Sequence, residues 1–129
     1  MIEKRRFVRV DVPIRVQYRG EGKKLGKGEA ISKNIGGMGI CVHVSRRFLA
    51  GSLLNLTLRI PGTFEDINAE AKVIWIGKSA KDGGFPTGYE AGLRFTSISK
   101  IAKASIINFI CESVERRKES KISSQEPSS

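Results

Sequence analysis

Short runs that alternate apolar and polar residues make up most of this sequence before residue 96. The run Leu54-Asn55-Leu56-Thr57-Leu58-Arg59-Ile60 keeps a period of two throughout, and Pro61-Gly62 ends it. This alternation indicates a strand with one face in a core and the other in solvent. Similar runs bounded by turn residues occupy 14–18, 29–34, 40–44, 68–75 and 88–95. About six short strands at this spacing predict a mainly β protein, either an antiparallel barrel or a sandwich.

The pattern changes to helical spacing at Ser99. An apolar face is formed by Ile101, Ala102, Ile106, Ile107, Phe109, Ile110, Cys111 and Val114. This face predicts an α-helix from Ser99 to about Lys118, capped by Ser97 or Ser99 and covering an end or flank of the sheet. Residues 119–129 are polar and rich in serine, which predicts a disordered tail. Residues 1–118 then form one domain, in keeping with a chain of 129 residues.

Several classes of protein are excluded or disfavoured by simple counts. No apolar run approaches the roughly 18 residues of a membrane span, and the charged start Met1–Arg6 has no apolar stretch behind it. We therefore expect no membrane insertion and a cytoplasmic location. Cys41 and Cys111 are widely separated and are predicted to be free, buried thiols. With His43 they fall short of a structural zinc set, so no metal is expected.

The charge of the chain favours an anionic partner. The net charge is +10, and residues 1–29 contain nine basic groups against four acidic ones. The motifs of common catalytic sites, such as GxSxG, HExxH and the P-loop, do not occur, and the single histidine lies in a predicted strand. These features predict a binding protein and not an enzyme.

Two segments could hold an anion. The first is Arg5-Arg6-Phe7-Val8-Arg9, whose planar guanidinium groups can grip phosphate oxygens or the edge of guanine. The second is Asn34-Ile35-Gly36-Gly37-Met38-Gly39, where glycines let a ligand approach the backbone. Each segment alone has an ordinary explanation: solvated arginines for the first, and a tight turn or β-bulge for the second.

Together the two segments resemble the PilZ domain, whose motifs are RxxxR and [D/N]xSxxG. The resemblance extends over most of the chain, through 3–10, 34–41, 71–75 and 92–95. It implies a six-stranded antiparallel β-barrel with a C-terminal α-helix, and a bacterial receptor for cyclic di-GMP. That ligand is the only small molecule implied, and no cofactor is expected.

The resemblance also assigns roles to individual residues. Arg5 and Arg9 would bind guanine edges and phosphates, and Arg6 would add charge or stack. Asn34 would hydrogen-bond the guanine, and a side chain at Gly39 would block the base or the turn. Gly36 stands where the motif has serine. The lost hydroxyl would weaken binding by roughly two- to a hundredfold, from about 0.5–3 kcal/mol per hydrogen bond.

The leading hypothesis is therefore a cyclic di-GMP receptor. Residues 1–10 would be a mobile arginine arm that the ligand orders over the barrel, and the new surface would meet a downstream protein partner. The alternative is a PilZ-like protein interaction module that does not bind the nucleotide, as Gly36 would allow. A nucleic-acid-binding barrel is ranked last, because the aromatic residues fall mostly within predicted strands and the helix.

Overall fold

A computed structural model describes residues 9–20, 26–79 and 88–125, with side chains through Arg116. The predicted turn at Asp82-Gly83-Gly84 and the arm residues 1–8 lie outside the described residues. The elements in chain order are β1 (Arg9–Val10), β2 (Arg15–Gly20), β3 (Lys27–Gly36), β4 (Gly39–Val44), β5 (Leu53–Arg59), β6 (Ile67–Lys78), β7 (Tyr89–Ile98) and α1 (Lys100–Gln125). All six predicted strands and the predicted helix are present, with ends that differ by a few residues.

The strands close into a six-stranded antiparallel barrel. Around the barrel the order is β3-β2-β5-β6-β7-β4, and pairing of β3 with β4 completes the circle. Closure leaves no long unpaired strand edge among these six strands. The strand pattern of the sequence was compatible with either a barrel or a sandwich. The fold is the barrel that the PilZ resemblance implied.

One short strand, β1, adds to the barrel beside the end of β3. Arg9 and Val10 lie opposite Gly36 and Ile35, while β2 pairs with the first half of β3. These two residues of the predicted mobile arm are therefore part of the sheet.

The break between β1 and β2 is bridged by Ser32 of β3. Its hydroxyl accepts a hydrogen bond from the backbone N–H of Ile14 at 2.7 Å and donates one to the carbonyl of Val12 at 2.5 Å.

Replacing Ser32 with alanine is expected to lower the free energy of unfolding by about 1–3 kcal/mol. Ser32 is buried, and the change leaves the buried N–H of Ile14 without its acceptor. Chemical denaturation should show the loss, and Ser97→Ala, at an exposed strand position, should stay close to the parent. Equal stability of the two variants would show that Ser32 does not hold this break in place.

The core fills the inside of the barrel with the alternate residues of each strand. Leu54, Leu56 and Leu58 of β5 are fully buried, as the period of two predicts. Phe48, from the segment after β4, is also buried and meets the ring of Tyr18 edge-on at 5.0 Å. These apolar contacts supply the main favourable term for folding.

Helix α1 packs against β1 and β3 with a narrower face than the sequence predicted. Ile106, Phe109 and Ile110 are buried in the common core. By contrast, Ile101 is 82% exposed, Ile107 is 43% exposed and Cys111 is exposed, which corrects their assignment to the buried face. The periodicity identified every apolar position near the stripe, but the adjoining barrel surface covers only its centre.

The ends of α1 also differ from prediction in one respect. Ser99 is the cap, as expected, since its hydroxyl accepts a hydrogen bond from the N–H of Ala102 at 3.1 Å. The helix then continues to Gln125, so residues 119–125 are helical, which corrects the predicted tail over that range. Nowhere in the described ranges does a helix have the length and apolarity needed to cross a membrane.

Candidate functional site

Arg9, the last residue of the first motif segment, meets the second segment on the outer face of the barrel. The guanidinium Nη1 of Arg9 donates a hydrogen bond to Oδ1 of Asn34 at 2.8 Å, although the residues are 25 positions apart. The pairing of β1 with β3 explains this contact, because it puts Arg9 directly opposite Gly36 and two residues from Asn34. Gly36 is buried at that position. The sheet therefore gathers Arg9, Asn34 and Gly36 at one place.

A β-bulge turns Asn34 outward. Ser32 lies opposite Val42 and Asn34 lies opposite Cys41, so β3 has one more residue than β4 between these pairs. The extra residue is Lys33, which lets Ser32 and Ile35 both point inward while Lys33 and Asn34 face the outside. Without the bulge, the alternation of β3 would place Asn34 in the core.

A row of residues crosses the sheet from Asn34. Cys41 on β4, Gly92 on β7 and Trp75 on β6 follow one another in register. The indole of Trp75 lies against the α-carbon of Gly92, and a methyl group there would overlap the indole nitrogen. Trp75 falls within a predicted strand, where the core could bury it, but its side chain is 48% exposed. The glycine within the predicted strand 88–95 was the available signal, since it permits such close approach.

Gly39 lies at the next step along β4, opposite Arg94 of β7. A β-carbon at Gly39 would overlap the backbone carbonyl of Leu93 and crowd the α-carbon of Arg94. The turn between β3 and β4 is also tied to β7, because the N–H of Phe95 donates to the carbonyl of Met38 at 2.9 Å. Close packing of the backbone is therefore sufficient to require glycine at position 39.

Basic side chains surround this outer row. Besides Arg9, they are Lys33 on β3, Lys72 on β6 and Arg94 on β7. Lys72 and Arg94 are exposed, lie directly opposite each other and have no hydrogen-bond or ion-pair partner in the described part of the chain. Like charges opposed on a sheet destabilise it, and an anion placed between them would remove that cost.

Glu90 balances part of this charge. The ammonium group of Lys33 donates a hydrogen bond to Oε1 of Glu90 at 2.8 Å, and Nε2 of His43 lies 4.0 Å from the same oxygen. The hydrogen bond and charge of Glu90 raise the pKa of Lys33. The lysine therefore keeps its charge throughout the neutral range and loses it as pH rises through that raised pKa.

Cys41 and Cys111 have different environments. Cys41 is buried under the site, and burial, followed by the charge of Glu90, raises the pKa of its thiol. Cys111 is exposed on α1, which corrects the prediction that both thiols are buried. Both are free, as predicted. In the described ranges, no group of histidine, cysteine and acidic residues is arranged to hold a metal ion.

At neutral pH, alkylation of Cys111 is expected to be at least about tenfold faster than alkylation of Cys41. The thiolate is the reacting form, and both burial and the raised pKa deplete it at Cys41. Mass spectrometry after timed iodoacetamide treatment would measure the two rates, and Cys111→Ser should remove the fast adduct. The slow rate should increase with pH as the Cys41 thiolate forms. Comparable rates would contradict the burial of Cys41.

Of the predicted site residues, the structure brings together Arg9, Asn34, Gly36 and Gly39. Arg5 and Arg6 lie outside the described residues. Arg94, Lys72 and Trp75 lie on the same outer face and were not singled out from the sequence. Their strands are distant in the chain, so only the closed sheet shows that they are neighbours.

Comparisons with protein families and with solved structures point to the same family. The model of the PilZ domain matches residues 3–112. No curated protein sequence matches the chain significantly. The Bacillus subtilis inhibitor of motility MotI/DgrA has 24% identity and a TM-score of 0.70, covering 88% of this chain and 51% of that one. The PilZ domain of Escherichia coli YcgR with c-di-GMP has 17% identity and a TM-score of 0.69, covering 93% and 98%.

MrkH from K. pneumonia is a third neighbour, with 14% identity, a TM-score of 0.73, and coverage of 89% of this chain and 51% of that one. This chain thus spans about half the length of the MotI/DgrA and MrkH chains. At these identities the structural matches establish the fold alone. The family model covers most of the chain, and on that ground the chain belongs to the PilZ domain family.

Proposed function

We propose that this protein is a receptor for cyclic di-GMP that binds the nucleotide on the outer barrel face around Arg9 and Asn34. The observation that carries the proposal is the 2.8 Å hydrogen bond between these two motif residues. It joins Arg9 of the RxxxR segment to the segment that corresponds to [D/N]xSxxG with Gly36 in place of the serine, so both can contact one ligand. The YcgR structure, which was determined with c-di-GMP, has the same fold.

The chemistry of the site suits a guanine nucleotide. One donor of Arg9 holds Asn34, which orients the guanidinium plane and leaves its other donors for phosphate oxygens or the guanine edge. The amide nitrogen of Asn34 remains able to donate to guanine. Trp75, half exposed on Gly92, offers an aromatic surface for stacking a base. Lys72 and Arg94 supply positive charge for the two phosphodiester groups.

The mechanism would be ordering of the N-terminal arm. Arg5 and Arg6 precede Arg9 by four and three residues, so the ordered arm would bring both to a ligand held by Arg9. Closing the arm over the nucleotide would create a surface that a downstream protein partner recognises in the cytoplasm. No bond in the ligand is broken in this scheme, so the protein acts as a receptor and not as an enzyme.

Calorimetric titration with cyclic di-GMP, using GMP and GTP as controls, tests the proposal. Saturable binding of the cyclic dinucleotide with little binding of the controls would support it and give the stoichiometry. Absence of heat at high ligand concentration and at two temperatures would reject it. That result would favour the alternative of an interaction module that does not bind the nucleotide, for which Gly36 is the supporting observation.

Replacing Gly36 with serine is expected to tighten cyclic di-GMP binding by roughly two- to a hundredfold. The change restores the hydroxyl of the motif, and one hydrogen bond is worth about 0.5–3 kcal/mol depending on the charge of its partner. The same calorimetric titration measures the effect, and Gly77→Ser, on a strand position with open space around it, is the control. Weaker binding by Gly36→Ser at unchanged stability would contradict this role.

A further inference from the structure

A second polar groove follows β2 on another part of the outer barrel face. It lies over β3, β2 and β5, and its two halves have volumes of about 610 and 680 Å³. Gln17, Glu29 and Thr57 line both halves, so the two halves adjoin along β2. The residues that carry the proposed nucleotide site do not line it.

Each end of the groove has two cations directly opposite each other. Arg15 of β2 faces Arg59 of β5, and Arg19 of β2 faces Lys27 of β3. Arg59 pairs with Asp66 at 2.9 Å, whereas Arg15, Arg19 and Lys27 have no partner in the described part of the chain. Opposed like charges weaken a sheet, and the ion pair of Arg59 with Asp66 offsets only part of that cost.

An aromatic side chain stands at the same end as Arg59. Phe64 is fully exposed, in the loop that also carries Asp66. Thr63 fixes this loop, because its hydroxyl lies 2.8 Å from the carbonyl of Ile60 and 3.1 Å from that of Glu65. Phenylalanine and arginine are both enriched in protein interfaces, so this end of the groove suits contact with a protein.

We infer that this groove, together with the loop that carries Phe64 and Asp66 at its Arg59 end, is a docking surface for an extended acidic segment of a partner protein. Arg15 and Arg19 project from the same face of β2 about 13 Å apart, at about 3.3 Å per residue. Carboxylates four residues apart in an extended peptide have the same spacing and also share one face. The complementary charge would neutralise the two opposed pairs, and Phe64 would cover methyl and methylene groups of the segment, such as those of threonine and glutamate.

The acidic residues of the groove favour a protein over a nucleic acid. Glu29 lines both halves, and Asp66 lines the half near Arg59. A protein segment of mixed composition can place hydroxyl, amide or basic groups against them, while a nucleic acid would bring a phosphate at every step. The groove and the proposed nucleotide site use different side chains, so each can be tested without the other.

The test titrates the isotope-labelled protein with a synthetic decapeptide of alternating glutamate and threonine. Binding is measured by the changes in the amide chemical shifts of the protein. The control ligands are the matching glutamine–threonine peptide and a ten-nucleotide oligothymidylate. The protein variants are Arg15→Gln/Arg19→Gln and Phe64→Ser. Lys100→Gln/Lys103→Gln, on exposed positions of α1, removes the same charge elsewhere.

The inference predicts shifts along β2 and β5 with the acidic peptide and none with the glutamine peptide. Affinity should fall at least tenfold in Arg15→Gln/Arg19→Gln, fall measurably in Phe64→Ser, and change less than twofold in the α1 variant. The melting temperature of Arg15→Gln/Arg19→Gln should be equal to or above that of the parent. Absence of shifts, equal weakening by the α1 variant, or tighter binding of oligothymidylate in the same groove would each overturn the inference.

Discussion

Arg9→Ala is expected to weaken cyclic di-GMP binding by about a hundredfold or more while leaving the fold intact. The residue loses its hydrogen bond to Asn34 and every contact of its guanidinium group with the ligand. One or two hydrogen bonds to charged groups, at about 1.5–3 kcal/mol each, account for that factor. The bond to Asn34 is exposed, so its loss should change the melting temperature by only a few degrees.

Two further variants make this measurement specific. Arg47→Ala removes an exposed arginine that has no partner in the described ranges, and binding should stay within about twofold of the parent. Arg9→Lys keeps the positive charge but loses the planar fork, so its affinity should fall between those of the parent and Arg9→Ala. Binding that is equally weak in Arg47→Ala would indicate general charge attraction, and unchanged binding by Arg9→Ala would remove Arg9 from the site.

Gly39→Ala is expected to destabilise the barrel by about 3 kcal/mol, the upper part of the range for overpacking. The added methyl group would overlap the carbonyl of Leu93, which belongs to the backbone of β7 and cannot move without disturbing its pairing with β4. Thermal or chemical denaturation should show the loss as a fall in melting temperature on the order of 10 °C.

The matched control is Gly77→Ala, also at a strand glycine. Apart from its two chain neighbours, no described residue has an atom within 4 Å of the methyl position at Gly77, so its stability should stay within about 0.5 kcal/mol of the parent. Gly39→Ala protein that melts like the parent but no longer binds the nucleotide would assign Gly39 to ligand contact. A large loss of stability would instead explain the motif glycine by the packing of β4 on β7.

The mixture of correct and incorrect expectations has a consistent physical explanation. The alternation of Leu54–Ile60 predicted a strand correctly, because a period of two follows from local geometry. Cys111 and Ile107 were wrongly placed in the core, because helical periodicity does not reveal how much of a helix the neighbouring surface covers. Trp75 lies within a predicted strand yet is half exposed, because the bulge between Val73 and Trp75 interrupts the alternation of β6.

The sequence by itself determined the elements of this protein and the two motif segments, since both depend on residue types at short, fixed spacings. The tertiary structure decided that Arg9 and Asn34 touch, that Trp75 covers Gly92, and that cations oppose each other across β2 and β5. These contacts join residues far apart in the chain. Their geometry is set by strand register, bulges and barrel closure, which arise only when all six strands pair.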